Sequence, residues 1–216
     1  MSGEQRRKVL NVGGGSKAIA MPEYYRDFEH LILDIDPRGK PDVVCDAREL
    51  PTCKVGEFDA IYCSHNLEHY FRHDVPRVLR GFHHVLTPDG FAEIRVPDIG
   101  MVIKEVVSKN LDLEDTLYNA NVGPILVRDV IYGWSVEIER SGQDFYAHKT
   151  GFTFKSMTHW VTSSGFQYVL RRPGRVFELL VYAFKQKPTA FHEQLLNFSF
   201  EDRTGLKQLN WCVATA

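Results

Sequence analysis

Features of several specialised protein classes are missing from this 216-residue sequence. Its four cysteines form no CxxC pair and no small disulfide framework, which predicts reduced thiols in the cytoplasm. No apolar run approaches the ~18 residues of a membrane span, and the start MSGEQRRK lacks an apolar signal core. The formal net charge is −2, so no overall basic field favours nucleic acid. We therefore expect a cytoplasmic protein that has no membrane partner, and the charge does not favour a nucleic-acid partner.

The composition is that of one globular domain. Hydrophobic residues make up 44 % and charged residues 25 %, which suffices for a core in a single domain over residues 1–216. Short β-branched-rich runs, each ended by Gly, Pro or Asp, alternate with helical segments such as 74–86. This pattern predicts a doubly wound α/β fold with a mostly parallel sheet. The predicted strands of the first half are 9–12, 31–37, 43–46, 58–63 and 91–96.

The second half of the chain departs from this alternation. The β-rich runs 166–170 and 176–184 are joined by a connection too short for a parallel crossover, so the sheet should end in an antiparallel hairpin. Residues 98–152 are too many for a plain loop and are expected to form an inserted helical lid that selects the substrate. The apolar C-terminal extension, 188–216, is expected to cover a sheet edge or to form a homodimer contact.

A glycine cluster and two acids point to a ligand. The triplet Gly13-Gly14-Gly15 follows the first strand, where a backbone without side chains can approach a ligand closely. Asp34, near the end of the second strand, can accept from both ribose hydroxyls, and Asp46 ends the third strand. Because the carboxyl ends of parallel strands share one edge of the sheet, these residues together predict a nucleoside pocket.

A dinucleotide would also fit part of this signal. Gly13-x-Gly15-x-x-Ala18 satisfies the dinucleotide fingerprint, which keeps an NAD(P)-dependent oxidoreductase open as an alternative. Against it, Met21-Pro22 breaks the long helix that would present its positive end to a pyrophosphate. The predicted antiparallel hairpin also differs from the usual six parallel strands of a dehydrogenase.

The order and spacing of several segments resemble the class I S-adenosylmethionine-dependent methyltransferases of the small-molecule, type 11-like group. The similar segments are VLNVGGG at 9–15, LDID at 33–36, CDA at 45–47, FDAI at 58–61, LEH at 67–69 and VLTPDG at 85–90. The resemblance covers about residues 8–98 and recurs at 166–185. The sequence departs from the family at Asn11, where an acid is usual, and at Ser16-Lys17, where Thr-Gly or Ser-Gly is usual.

This resemblance implies a Rossmann-like, seven-stranded sheet and methyl transfer from S-adenosyl-L-methionine to a small-molecule acceptor, at oxygen or nitrogen. It also implies which residues contact the cofactor: Gly13, Gly14, Gly15, Asp34, Ile35, Asp46, Ala47, Ser64 and His65. A non-catalytic module that only binds the cofactor and a nucleic-acid methyltransferase are further alternatives.

Candidate catalytic groups lie in the loop after the fourth strand and in the lid. His65 is a candidate general base, and Tyr146 with His148 is the preferred pair to meet the acceptor. Residues expected to bind the substrate are His69, Trp134, Arg171 and Arg175. The two arginines suit an anionic acceptor, because a guanidinium binds carboxylate or phosphate in a bidentate manner.

A metal site is not expected from the sequence. His65, His69 and His73 recur every four residues, and Glu68 lies among them. The spacing nevertheless matches neither HExxH nor the usual mixed ligand patterns, and Leu67-Glu68-His69 already has an explanation in the family resemblance.

Overall fold

The computed structural model of the chain describes residues 6–200 and the backbone of residues 210–213. Its strands are β1 Lys8–Val12, β2 Glu29–Asp34, β3 Val43–Val44, β4 Phe58–Ser64, β5 Leu86–Pro97, β6 Thr116–Ala120, β7 Gly123–Leu126, β8 Tyr168–Pro173, β9 Glu178–Phe184 and β10 Asn210–Val213. Its α-helices are α1 Val75–Val85, α2 Ile99–Lys109, α3 Val127–Tyr132, α4 Ser135–Ser141, α5 Phe154–Ser163 and α6 Ala190–Leu196.

One sheet organises the fold, with strand order β10-β8-β9-β5-β4-β1-β2-β3. The first five strands are parallel, and β9 runs antiparallel to both β5 and β8, so the predicted terminal hairpin is confirmed. The predicted seven strands are joined by an eighth, because β10 of the C-terminal extension pairs antiparallel with β8. The extension thus covers this edge of the sheet, while a homodimer contact stays a prediction.

The two faces of the sheet are covered differently. The predicted amphipathic helix is confirmed as α1, which packs with α5 against one face through residues such as Leu79, Phe82 and Val161. The opposite face is covered by the 3₁₀ helix Glu23–Tyr25 and by α6, whose Leu196 lies in the second core cluster. Each such large side chain that is removed from water contributes about 1.5–3 kcal/mol.

The connections between β1, β2, β3 and β4 are shorter than the alternation of strands and helices suggests. They hold only the 3₁₀ helices Glu23–Tyr25, Pro37–Gly39 and Ala47–Glu49. Pro22 has no amide hydrogen and precedes the first of them in an extended conformation. Asp36 and Asp46 each accept from an amide two residues ahead, which folds the chain into a tight turn instead of a helix. These compact turns leave the carboxyl edge of the sheet open.

The insertion is a small substructure whose ends meet. Asp98 and Phe152 form a parallel bridge, so the predicted bounds 98–152 coincide with its closure. It was expected to be helical, but it also contains the antiparallel hairpin β6–β7. The turn of this hairpin ends at Gly123, whose φ of 114° lies in the region that favours glycine. Pro124, another residue common in turns, follows it. A separate apolar cluster that includes Val102, Leu117 and Val127 holds the insertion together.

The expectation of reduced thiols is wrong for one pair of cysteines. Cys45 and Cys53, on either side of the 3₁₀ helix Ala47–Glu49, form a disulfide, whereas Cys63 is free and buried. Such a bond is more typical of an oxidising compartment than of the cytoplasm. Among the described helices, none has the length and apolar character that a membrane crossing requires.

Candidate functional site

A cleft of about 880 Å³ lies at the carboxyl ends of the parallel strands, between the sheet and the insertion. It is the position where open α/β sheets bind ligands. Eight of the residues predicted for the site line it: Gly13, Gly15, Asp34, Ile35, Asp46, His65, His69 and Tyr146. They come from both the sheet edge and the insertion, and their roles stay predictions.

The glycine triplet folds into a turn that other side chains could not form. Gly13 and Gly15 have φ values of 72° and 61°, in the left-handed region that favours glycine. A Cβ on Gly13 would lie 2.2 Å from the side-chain nitrogen Nδ2 of Asn66. A Cβ on Gly14 would lie 2.4 Å from Nδ2 of Asn11. Asn11 is buried and supports the turn from beneath, which gives this departure from the family pattern a structural role.

The carboxylate of Asp34 joins this turn to the end of β2. Its Oδ2 accepts from the Gly15 amide and its Oδ1 from the Asp36 amide, both at 2.9 Å. Each carboxylate oxygen can accept more than one hydrogen bond, so both keep capacity for a ligand. Among the described residues, Asp34 has no cationic partner within ion-pair distance.

The other charges that line the cleft are paired. Asp46 accepts from both the backbone and the guanidinium of Arg48. Burial alone would raise the pKa of Asp46, but these hydrogen bonds outweigh it and lower that pKa. All four cationic Arg and Lys side chains of the lining have an acidic partner: Arg38–Asp36, Arg48–Asp46, Arg140–Glu137 and Lys149–Asp144. Asp34 therefore stands out among the lining carboxylates because no cation of the described residues pairs with it.

Lys17 does not line the cleft. Its ammonium pairs with Asp42 at 2.8 Å, so the second departure from the family pattern places no lysine charge in the lining.

His65 is held between two carboxylates that the sequence did not reveal as its partners. Its Nε2 lies 3.2 Å from Glu178 and its Nδ1 lies 3.4 Å from Glu68, and its own φ is 50°. Burial alone would lower the pKa of His65, but the nearby carboxylates of Glu178 and Glu68 outweigh it and raise that pKa to about 9. The imidazole is thus protonated at neutral pH, a state that suits a hydrogen-bond donor better than the expected general base.

Several predicted residues lie outside the lining. Gly14, Ala47 and Ser64 flank residues that line the cleft, whereas Trp134 caps α4 and is half exposed. Arg171 lies 3.7 Å from Asp98 and over the ring of Phe154, and Arg175 is set on the turn before β9.

His148 is set just behind the lining. Its Nδ1 is 2.9 Å from the carbonyl oxygen of Val130, and its ring lies edge-on to that of His69. Burial is the largest influence on its pKa and lowers it. Tyr146 does reach the cleft, with its hydroxyl 3.5 Å from the guanidinium of Arg38. The structure thus brings Tyr146, His65 and His69 to one cleft and leaves His148 adjacent to it.

The reversed strand β9 beside β5, together with the glycine turn and acids at the ends of β1, β2 and β3, defines a Rossmann-like methyltransferase fold. Residues 10–94 match a family model described as a methyltransferase domain. The match supports a methyltransferase domain in this part of the chain, of the class I type that depends on S-adenosylmethionine.

Solved structures share the fold at low sequence identity. PH0226 protein from Pyrococcus horikoshii OT3 is 15 % identical with a TM-score of 0.55, over 86 % of this chain and 84 % of that one. A SAM-dependent methyltransferase from Archaeoglobus fulgidus is 14 % identical with a TM-score of 0.51, over 84 % and 87 %.

An O-methyltransferase family protein from Burkholderia thailandensis is 12 % identical, with a TM-score of 0.49. The match covers 84 % of this chain but only 52 %, about half, of that one. No curated protein matches the sequence.

Proposed function

We propose that the chain transfers the methyl group of S-adenosylmethionine to an oxygen or nitrogen atom of a small-molecule acceptor. The observation that carries this proposal is the carboxylate of Asp34, fixed by the amides of Gly15 and Asp36 at the cleft and free of any cation among the described residues. Such a carboxylate suits a ribose, whose hydroxyls donate to it. Because the carboxylate that accepts them is charged, these hydrogen bonds contribute about 1.5–3 kcal/mol each.

The remaining lining supports an orientation for the cofactor. Gly15, Asp34 and Ile35 would border its ribose, and Asp46 with the adjoining Ala47 would border its adenine. Gly13 and His65 would then flank its amino-acid end and sulfur. Bound S-adenosylmethionine supplies an electrophilic methyl group, and the chain has to hold the acceptor atom in line with it and exclude water. Tyr146 and His69 are the residues proposed to meet the acceptor.

The size and charge of the cleft favour a small acceptor. Its volume of about 880 Å³ falls within the range of small-molecule sites, which is roughly 300–1,000 Å³. The arginines and the lysine that line it are each paired with an acid, so they offer no basic groove to a nucleic acid. Arg171 and Arg175 lie outside the lining, and their part in binding an anionic acceptor stays a prediction.

Calorimetry with S-adenosylhomocysteine and NAD tests the cofactor. We expect S-adenosylhomocysteine to bind at one site per chain and NAD to give no heat of binding. Binding of NAD without S-adenosylhomocysteine would overturn the proposal in favour of an oxidoreductase.

An acceptor screen then tests catalysis, with formation of S-adenosylhomocysteine as the readout. Turnover of a phenol, amine or carboxylic acid of low molecular weight is expected. Tight binding of the cofactor without turnover of any acceptor would instead identify a non-catalytic binding module.

A further inference from the structure

Glu68 is a buried acid to which the methyl-transfer proposal gives no role. Only 1 % of its side chain is exposed, and no hydrogen bond among the described residues reaches either carboxylate oxygen. The neighbours of Oε1 are Nδ1 of His65 at 3.4 Å and Nε2 of His148 at 3.9 Å. A buried carboxylate is costly unless it is paired or coordinates a metal, and the groups around this one are imidazoles, which can pair with it or share a metal ion with it.

Two imidazoles present the right atoms to this carboxylate. Nδ1 of His69 lies 3.0 Å from the carbonyl oxygen of Ala147, and Nδ1 of His148 lies 2.9 Å from that of Val130. A carbonyl oxygen only accepts, so both Nδ1 atoms carry the hydrogen and both Nε2 atoms keep a lone pair. Histidines that bind metals show this arrangement, in which the second ring nitrogen donates to a carbonyl or carboxylate.

The backbone keeps these side chains in place. The carbonyl oxygen of Glu68 accepts from the amides of Lys149 at 2.8 Å and Thr150 at 3.1 Å. The hydroxyl of Thr150 donates to the carbonyl oxygen of Tyr70 at 2.8 Å. These hydrogen bonds therefore join segments 67–70 and 147–150, which are distant in the sequence. They hold the side chains of the cluster close to one another without a ligand.

We propose that Glu68, His69 and His148 form a binding site for a divalent transition-metal ion of the zinc type. Their ligand atoms all lie within 4.8 Å of one another. Ligands about 2.0–2.2 Å from a tetrahedral Zn²⁺ are roughly 3.3 Å apart, so small side-chain rotations bring the three into position. Two imidazoles and one carboxylate form a ligand set of catalytic zinc sites, which keep a fourth position open.

The open position determines what the site would bind. His69 lines the cleft, so the fourth ligand would come from the side on which the acceptor is proposed to lie. An oxygen atom, of water or of an acceptor hydroxyl, is the ligand class that fits there. The metal site itself does not depend on the proposed methyl transfer, because its ligands are all side chains of this chain.

Calorimetric titration of the chelator-treated full chain with Zn²⁺ tests the site without any cofactor. We expect one Zn²⁺ per chain in the unsubstituted protein and in the control His73→Gln, which removes an exposed histidine outside the cluster. In Glu68→Gln and His148→Gln we expect the affinity to fall by at least about 100-fold. Co²⁺ should give the visible absorption of tetrahedral coordination in the first two proteins and lose it in the other two.

Absence of Zn²⁺ binding, or equal affinity in all four proteins, would overturn the proposal. Circular dichroism of each variant identifies any that fails to fold. X-ray absorption at the zinc edge on the unsubstituted protein needs no variant, and a ligand set without two imidazoles would likewise reject the site. Titration with S-adenosylhomocysteine remains a separate measurement, so failure of the metal site and failure of the cofactor proposal can be told apart.

Discussion

The substitution Asp34→Ala tests the carboxylate on which the proposed function depends. It removes the proposed acceptor of two ribose hydroxyls and also the acceptor of the Gly15 and Asp36 amides, each 2.9 Å away. Hydrogen bonds to a charged group contribute about 1.5–3 kcal/mol each, and water that enters the shortened site recovers part of this. We expect a net loss of about 2–3 kcal/mol, which weakens the binding of S-adenosylhomocysteine by about 30- to 150-fold.

A thermodynamic cycle separates the ribose contact from the support that Asp34 gives to the glycine turn. Calorimetry would compare S-adenosylhomocysteine with its 2′,3′-dideoxy analogue on the unsubstituted protein and on Asp34→Ala. Loss of the two hydroxyls should weaken binding strongly to the unsubstituted protein and only a little to Asp34→Ala. Asp34→Asn, which keeps one oxygen, should be intermediate, and Asp27→Asn, on the surface, should change nothing. Equal losses on both proteins would refute the ribose assignment.

Three further substitutions test the turn, the core and the pH dependence of stability. Gly13→Ala should weaken binding of S-adenosylhomocysteine at least about tenfold, because left-handed strain costs about 1–2 kcal/mol and the new Cβ would meet Asn66 at 2.2 Å. Glu93→Gln should lower the free energy of unfolding in urea by about 2 kcal/mol, because Arg95 loses its charged partner at 2.7 Å and keeps Glu178 at 3.2 Å. Burial lowers the pKa of His192 below 6.5, so the unfolded chain binds more protons and stability should fall as the pH drops below that value. His192→Gln should reduce this slope.

Two of these substitutions have a matched control variant, and the third has a stated limit. Gly15→Ala shares the positive φ but its Cβ would meet nothing closer than Ile19 at 3.5 Å, so equal effects at both glycines would contradict the role of Asn66. If Glu93→Gln lowers the free energy of unfolding by less than about 1 kcal/mol, the ion pair between Glu93 and Arg95 is not needed for stability. His73→Gln, at an exposed position, should leave the pH slope of stability unchanged, and the same slope in His192→Gln would reject that assignment.

The sheet was predictable from the sequence because its strands are buried on both faces. In β4 and β9 the apolar residues run almost without interruption, and α1 has its apolar residues at three-and-four spacing. The cleft at the carboxyl edge was predictable for a related reason. The carboxyl ends of parallel strands lie at one edge of the sheet, so Gly13, Asp34 and Asp46 could be placed there without knowledge of the packing, while their contacts with a cofactor stay predictions.

The acids around the histidines were not predictable, because their contacts arise from tertiary packing. Glu178 looks like a strand residue of the terminal hairpin, and only the pairing of β9 with β5 brings it to His65. His148 meets Glu68 through hydrogen bonds that join distant segments, so no local spacing of ligands announces the cluster. The hairpin β6–β7 was missed because its strands are short and pack mainly within the insertion.

The pairing of β5 with β9 also bears on how the chain folds during synthesis. Phe91 lies opposite Phe184, so the centre of the sheet closes only after about ninety further residues have been added. At roughly 5–20 residues per second, the apolar edge of β5 waits about 5–20 s for its partner. Contacts of such long sequence separation fold slowly, and an uncovered strand edge invites association with other chains. A chaperone would therefore matter most in the interval when β5 has been synthesised and β9 has not.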